Sequence, residues 1–247
     1  MLFQADPGTS WAGSIAACME YPHNRPYTAD DLVRIITLLR DPVNGCPWDK
    51  VQTHTSIRMN FLEEAYEAVD ALDLDDPVLM CEELGDVLMQ VAFHTCMEQE
   101  TGRFTWEQVC DGVCQKLIER HPNIFGTQPG YEGITDWDAL KNKEKGRRTL
   151  ADDLESVPRA MPALMRAAKL QKRAARHGAA LQGADAAALA DAAENLQTAQ
   201  PASAQAEQAV GELLFAAANL ARQAGVDPEQ ALQKANEAFC TAAGPVA

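Results

Sequence analysis

Glu63-Glu64-Ala65-Tyr66-Glu67 and, further along, Glu82-Glu83-Leu84-Gly85-Asp86-Val87-Leu88-Met89-Gln90 are the stretches that decide how this chain is read. Both lie in segments whose apolar residues recur at helical spacing, so acids and core positions share the same helices. At about 100° per residue, Glu83, Asp86, Gln90 and His94 fall on one narrow stripe with Leu79, Val87 and Met97, which aims carboxylates where a core belongs. Glu64 and Glu67 sit on adjacent turns of the preceding helix, with Glu64 on the shoulder of its apolar face. If the turn at Asp73 to Pro77 folds these helices antiparallel, the two acid pairs meet across a bundle interior, where helical bundles build metal sites. Like charges about 4 Å apart repel by roughly 4 kcal/mol at an effective dielectric of about 20, so the cluster calls for a cation. Mg²⁺ suits it, since Mg²⁺ takes hard oxygen ligands and keeps waters and phosphate oxygens in its shell. Asp and Glu are rarely buried unpaired, which favours a metal site at Glu64, Glu67, Glu83 and Asp86 over an acidic surface. Glu63, Asp70 and Glu82 only flank the stripe and read as solvated.

The chain has 247 residues, of which 47% are apolar, enough for one large or two small globular domains. Its seven cysteines form no C-x-x-C pair, a pattern expected of a reduced, cytoplasmic protein. No apolar run approaches the length of a membrane span, and the first residues lack the basic start and apolar centre of a signal peptide. The net charge of −15 weighs against a protein whose main task is to grip nucleic acid.

Residues 1–28 read as an irregular lead-in, with Pro7, Gly8, Pro22, Asn24 and Pro26. A first helix starts near Thr28 to Asp31, carries Leu32, Ile35, Ile36 and Leu39, and stops at the Asp41 to Pro47 loop, which leads to Trp48 and Asp49. A second presents Phe61, Leu62, Ala65, Val69 and Leu72 on one face. A third runs from about Val78 to Glu100, and Thr105 with Gln108 makes a capping box for a fourth that ends at His121-Pro122. Trp137 to Lys145 read as a short fifth. Nothing alternates strictly enough for a half-buried strand, so the fold class is all-α, a helical bundle. Beyond Arg147 alanine rises to about a third of the residues, and a hinge near Ser156-Val-Pro158 fits that change. The expected domains are 29–147 and 148–247. Gly211-Glu-Leu-Leu-Phe repeats the shape of Gly85-Asp-Val-Leu-Met, and Asp191-Ala-Ala-Glu194 that of Glu64-Ala-Tyr-Glu67, which points to a tandem duplication.

Other readings of the same residues carry less. A di-iron carboxylate site needs Glu-x-x-His on two helices, and Glu20-Tyr-Pro-His23 contains proline outside the helices. His94 alone reads as a hydrogen-bonded residue of the core or behind a ligand rather than as a ligand, and it is assigned no role. Lys116 and Arg120, then Trp137 and Lys141, each stand one helical turn apart. Near a carboxylate-metal site they suit a polyphosphate; without it they read as an ordinary basic helix end and a packing tryptophan.

Glu63-Glu-x-x-Glu67 followed by Glu83-x-x-Asp86, with Gly45-Cys-Pro-Trp-Asp49 before and Glu119-Arg-His-Pro-Asn-Ile-Phe-Gly126 after, resembles the MazG family of nucleoside triphosphate pyrophosphohydrolases. The resemblance spans about residues 31 to 240 and is best in the first half. It implies an all-α, Mg²⁺-dependent enzyme that splits a nucleoside triphosphate into monophosphate and pyrophosphate as a homodimer. It likewise implies that Glu64, Glu67, Glu83 and Asp86 are the metal ligands and that Lys116, Arg120, Trp137 and Lys141 contact substrate. The second half departs from this pattern. Aligned on the glycine, Glu82 becomes Gln208, Glu83 becomes Ala209, Asp86 becomes Glu212 and Gln90 becomes Ala216, while the basic pair and the Trp-x-x-x-Lys element are gone. Residues from about 160 onward are therefore expected to be a degenerate copy kept for packing and dimerisation. The chemistry expected of the first half is metal-assisted attack of water on the phosphate chain, with Glu63 or Glu67 as general base. The rival readings are a non-catalytic helical module that binds nucleotides or proteins, and a dUTPase-like hydrolase of narrow base preference.

Overall fold

The computed structural model of the protein describes residues 20–126 and 144–244, and among these it contains helices and turns but no strand. The all-α expectation holds. The chain divides into two compact units, residues 1–133 and 134–247.

In the first unit α1 (Ala29–Leu39), α2 (His54–Leu74) and α4 (Trp106–Arg120) all pack on α3 (Pro77–Glu100), and a short α5 (Pro122–Phe125) follows α4. The core joins Val33 and Ile36 of α1, Ile57 of α2, Ala92, Phe93, Cys96 and Met97 of α3, and Trp106 of α4. Helix ends fall where the side chains can satisfy free backbone N–H groups. Thr28 with Asp31 and Thr105 with Gln108 form capping boxes, as their spacing predicts, and Thr53 with Ser56 forms another. Asp75, in the left-handed region, ends α2, and Asp76 caps α3 with Pro77 at its first position. Cross-helix contacts step in opposite directions, His54 to Glu98 and to His94, then Glu64 to Gln90, so α2 and α3 are antiparallel.

The inward face of α2 differs from the sequence expectation. Ile57, Ala68 and Ala71 are buried, whereas Val69 and Leu72 are exposed. Among the described residues α2 packs mainly on α3, and one helix neighbour shields a narrower stripe than the apolar residues of α2 occupy. Glu64 lies midway along that stripe, at helical spacing between Ile57, Phe61, Ala68 and Ala71, rather than on its shoulder.

Between α1 and α2 the chain doubles back closely enough that a Cβ on Gly45 would sit 2.4 Å from the Asp41 carbonyl oxygen, so only glycine fits. Arg40 locks this loop to the helices. It forms a fork to Glu100 at 2.6 and 2.8 Å, donates to the carbonyls of Asp49 and Gln52 at 2.7 and 3.2 Å, and lies over the Phe93 ring.

The second unit contains α6 (Leu150–Glu155), α7 (Ala163–Arg176), α8 (Ala186–Thr198), α9 (Ala204–Gln223) and α10 (Pro228–Ala243). Here α7, α8 and α10 pack on α9, the same order in which α1, α2 and α4 pack on α3, and α6 and α10 also touch α7. Its buried residues are mostly small, among them Ala192, Ala209, Ala216 and Ala218. Ser156 to Pro158, expected as a hinge, lies packed within this unit. Val157 is 1% exposed, and Arg173 donates to the Ser156 hydroxyl. Asp153, also 1% exposed, faces Arg173 at 3.0 Å, His177 at 3.2 Å and Arg176 at 3.8 Å. Removing one partner of such a buried pair strands the other. Asp153→Ala is expected to destabilise the protein by about 3–5 kcal/mol in urea unfolding followed by circular dichroism. A loss below about 1 kcal/mol, the range of exposed pairs, would mean that the network does not hold the unit together.

Candidate active site

Because Glu64 sits in the inward stripe of α2, it meets the acids of α3. One carboxylate oxygen from each of Glu64, Glu83 and Asp86 lies within 4.8 Å of the other two, a spacing that suits oxygen ligands around one hard cation. All three are half-buried. Gln90, 7% exposed, donates from its amide nitrogen to Glu64 at 3.4 Å, while its amide oxygen is buried with no donor among the described residues. Glu67 stands beside the three but is exposed and outside their cluster.

Burial raises the Glu64 carboxyl above the ordinary carboxylate range. The amide of Gln90 opposes that rise, and the charges of Asp86 and Glu67 add to it. Glu83 is raised by partial desolvation and then by the charges of Glu67, Asp86 and Glu82. Among the described residues no cation figures among the causes of either shift. Three converging, mutually repelling oxygens are what a divalent ion needs, and the residues therefore fit a metal.

Farther along the same stripe lies a network that the periodicity extends to but that was not read from it. His94, one turn beyond Gln90, meets His54 with an Nδ1 to Nδ1 contact of 2.7 Å and ring planes 6° apart, and its ring touches Phe61. His54 reaches the buried Glu98 at 2.5 Å, and Arg103 holds the other side of that carboxylate at 2.6 Å. Burial, and secondarily His54, lowers the His94 pKa. The α2 positions 54, 57, 61 and 64 share one spacing, which is the signal that would have found His54.

Of the expected substrate contacts, Lys116 and Arg120 occupy the last turns of α4; Lys116 is exposed and makes no ion pair among the described residues. Trp137 and Lys141 lie outside the described residues. In the second unit the positions matching Glu83 and Gln90 are the buried Ala209 and Ala216. Asp191 and Glu212 line a cavity of about 630 Å³ with no third acid beside them, and Glu212 accepts from Gln208 at 2.8 Å.

A carboxyl whose folded-state pKa is raised costs stability when ionised, and the cost disappears as pH falls below that raised value. Glu64→Gln is therefore expected to raise the thermal midpoint in chelator at neutral pH, with the gain shrinking as the pH drops through the carboxylate range. A lower midpoint at pH 7 would contradict the repulsion.

Residues 52–125, which contain all the acids of the cluster, match the family model described as the MazG nucleotide pyrophosphohydrolase domain. Similar proteins include one named nucleoside triphosphate pyrophosphohydrolase from Escherichia coli K12, 41% identical over 85% of this chain and 83% of its own. A Thermotoga maritima protein named nucleoside triphosphate pyrophosphohydrolase/pyrophosphatase MazG is 39% identical over 85% of this chain and 82% of its own. A nucleoside triphosphate pyrophosphohydrolase of Mycobacterium tuberculosis is 35% identical over 60% of this chain and 46% of its own. On this similarity across most of its length, and with the all-α fold already established, the chain belongs to the MazG family.

Proposed function

We propose that the first unit hydrolyses nucleoside triphosphates to the monophosphate and pyrophosphate, with Mg²⁺ held by Glu64, Glu83 and Asp86 and with Glu67 at its edge. The observation that carries this is the convergence of three carboxylates, with no cation among the described residues lowering the pKa of Glu64 or Glu83. The names of the similar proteins point to the same reaction. Bound there, Mg²⁺ supplies neutralisation of the phosphate oxygens and a more acidic water. Gln90 holds Glu64 in orientation through its amide N–H. Glu67, outside the cluster and free of that coordination, accepts the proton of the attacking water as general base. Water adds to the α- or the β-phosphorus, the bond from that phosphorus to the oxygen bridging the two breaks, and monophosphate and pyrophosphate separate. Lys116 and Arg120, with Trp137 and Lys141, make the substrate contacts.

The second unit is read as a degenerate copy. Its repeated packing order supports duplication, and Ala209 and Ala216 support loss of the metal site. A homodimer is supported by the exposed apolar residues Tyr66, Val69 and Leu72 of α2 and Leu84 and Leu88 of α3. The cysteines Cys46, Cys81, Cys96, Cys110, Cys114 and Cys240 are free thiols, which suits the cytoplasm. No helix among the described residues is long and apolar enough to cross a membrane.

Pyrophosphate release from a panel of triphosphates tests the assignment. Glu83→Ala should abolish Mg²⁺-dependent turnover and Glu212→Ala should leave it intact, whereas equal losses would overturn the division of labour. In the same assay Glu67→Gln should lower kcat by about 10²-fold or more while Mg²⁺ still binds. Val69→Glu with Leu72→Glu should shift the mass in light scattering from dimer to monomer, and an unchanged mass would remove α2 from the interface.

A further inference from the structure

Helix α7 carries five cations, Arg166, Lys169, Lys172, Arg173 and Arg176, in a chain whose net charge is −15. They divide into two sets. Arg173 and Arg176 face the buried Asp153. Arg166, Lys169 and Lys172, spaced three apart, line two adjoining cavities of about 450 and 620 Å³ that share Met161. Arg159 joins the smaller cavity and Arg222 the larger.

No carboxylate neutralises this second set. Arg159, Arg166, Lys169 and Lys172 make no ion pair among the described residues, and Arg222 gives its Nε and Nη2 to Asn219 rather than to an acid. The acids at the rim are engaged elsewhere. Asp227 accepts the N–H groups of Glu229 and Gln230 at the start of α10, and Glu229 accepts the N–H of Met165 at 3.2 Å. In addition, the Nε of Arg166 is closed off from solvent and has no acceptor. A donor closed off from water without an acceptor favours an incoming oxygen ligand.

We propose that this face of the second unit is a binding site for a polyphosphate anion. Six residues of helix rise about 9 Å, so the three α7 cations can spread along a short chain of phosphates rather than converge on a single ion. Arginine offers a fork and lysine a point charge, the pair of donor types that phosphate oxygens take. The choice of polyphosphate over another polyanion rests on the reading of the first unit as a triphosphate hydrolase. The site itself requires no metal and shares no residue with the acid cluster. It gives the second unit a role besides packing, sensing the substrate or product of the first.

The test uses the full chain carrying Glu83→Ala, in EDTA, with inorganic pyrophosphate and separately ATP, by equilibrium dialysis. Because neither metal nor turnover is involved, a failed site leaves the pyrophosphate-release assay on the unsubstituted protein to decide the first unit independently. Saturable binding of one anion per chain is expected. Adding Lys169→Gln and Lys172→Gln should weaken it about tenfold or more, and Lys234→Gln, an exposed cation off the pocket, should not change it. Equal affinity for the two probes would mean that phosphates alone are read. Tighter ATP would mean that the Met161, Met165 and Val226 lining also holds the nucleoside. No binding of either, or the same loss from Lys234→Gln as from Lys169→Gln alone, would overturn the site.

Discussion

Repulsion among inward-facing carboxylates is the constraint around which the first unit is organised. Glu64, Glu83 and Asp86 come within 4.8 Å of one another because α2 and α3 form an antiparallel hairpin whose contact stripe contains them. A stripe made only of apolar residues would pack more favourably. The hairpin tolerates the acids because they lie toward its looser end, where the first turns of α3 are largely exposed, while Ala92, Phe93, Cys96 and Met97 secure the other end. Stability is thus concentrated away from the acids.

Anchoring of that firm end is polar as well as apolar. Arg40 ties α1, the loop to α2 and the end of α3 together through Glu100 and two carbonyls, and Glu98 gathers His54 and Arg103. In each network one charge is buried, Arg40 in the first and Glu98 in the second, and its partners reach in from more exposed positions. Asp153 and Arg173 are a buried pair in the second unit.

The pair α8 and α9, which packs in the same order as α2 and α3, carries small residues at the matching positions. At the positions of Glu83 and Gln90 the second unit has Ala209 and Ala216, 2% and 0% exposed. Neither alanine offers an oxygen to a cation, although Asp191 and Glu212 line a cavity nearby. Cations gather in this unit along α7.

Local chemistry was legible in the sequence by itself. Capping boxes at Thr28 and Thr105, the short turn before Pro77 and the helical period of the acids depend on neighbours within a few residues, and these signals placed the helices and the acid-bearing faces. What surrounds a helix was decided only by tertiary structure. Val69 and Leu72 look like core residues in a helical pattern but are exposed, because among the described residues α3 is the main helix covering α2; Glu64 falls in the middle of the stripe that faces α3. Pairs remote in the chain, such as His54 with His94 or Arg40 with Glu100, have no local signature, since burial and charge complementarity across helices exist only once the bundle has formed.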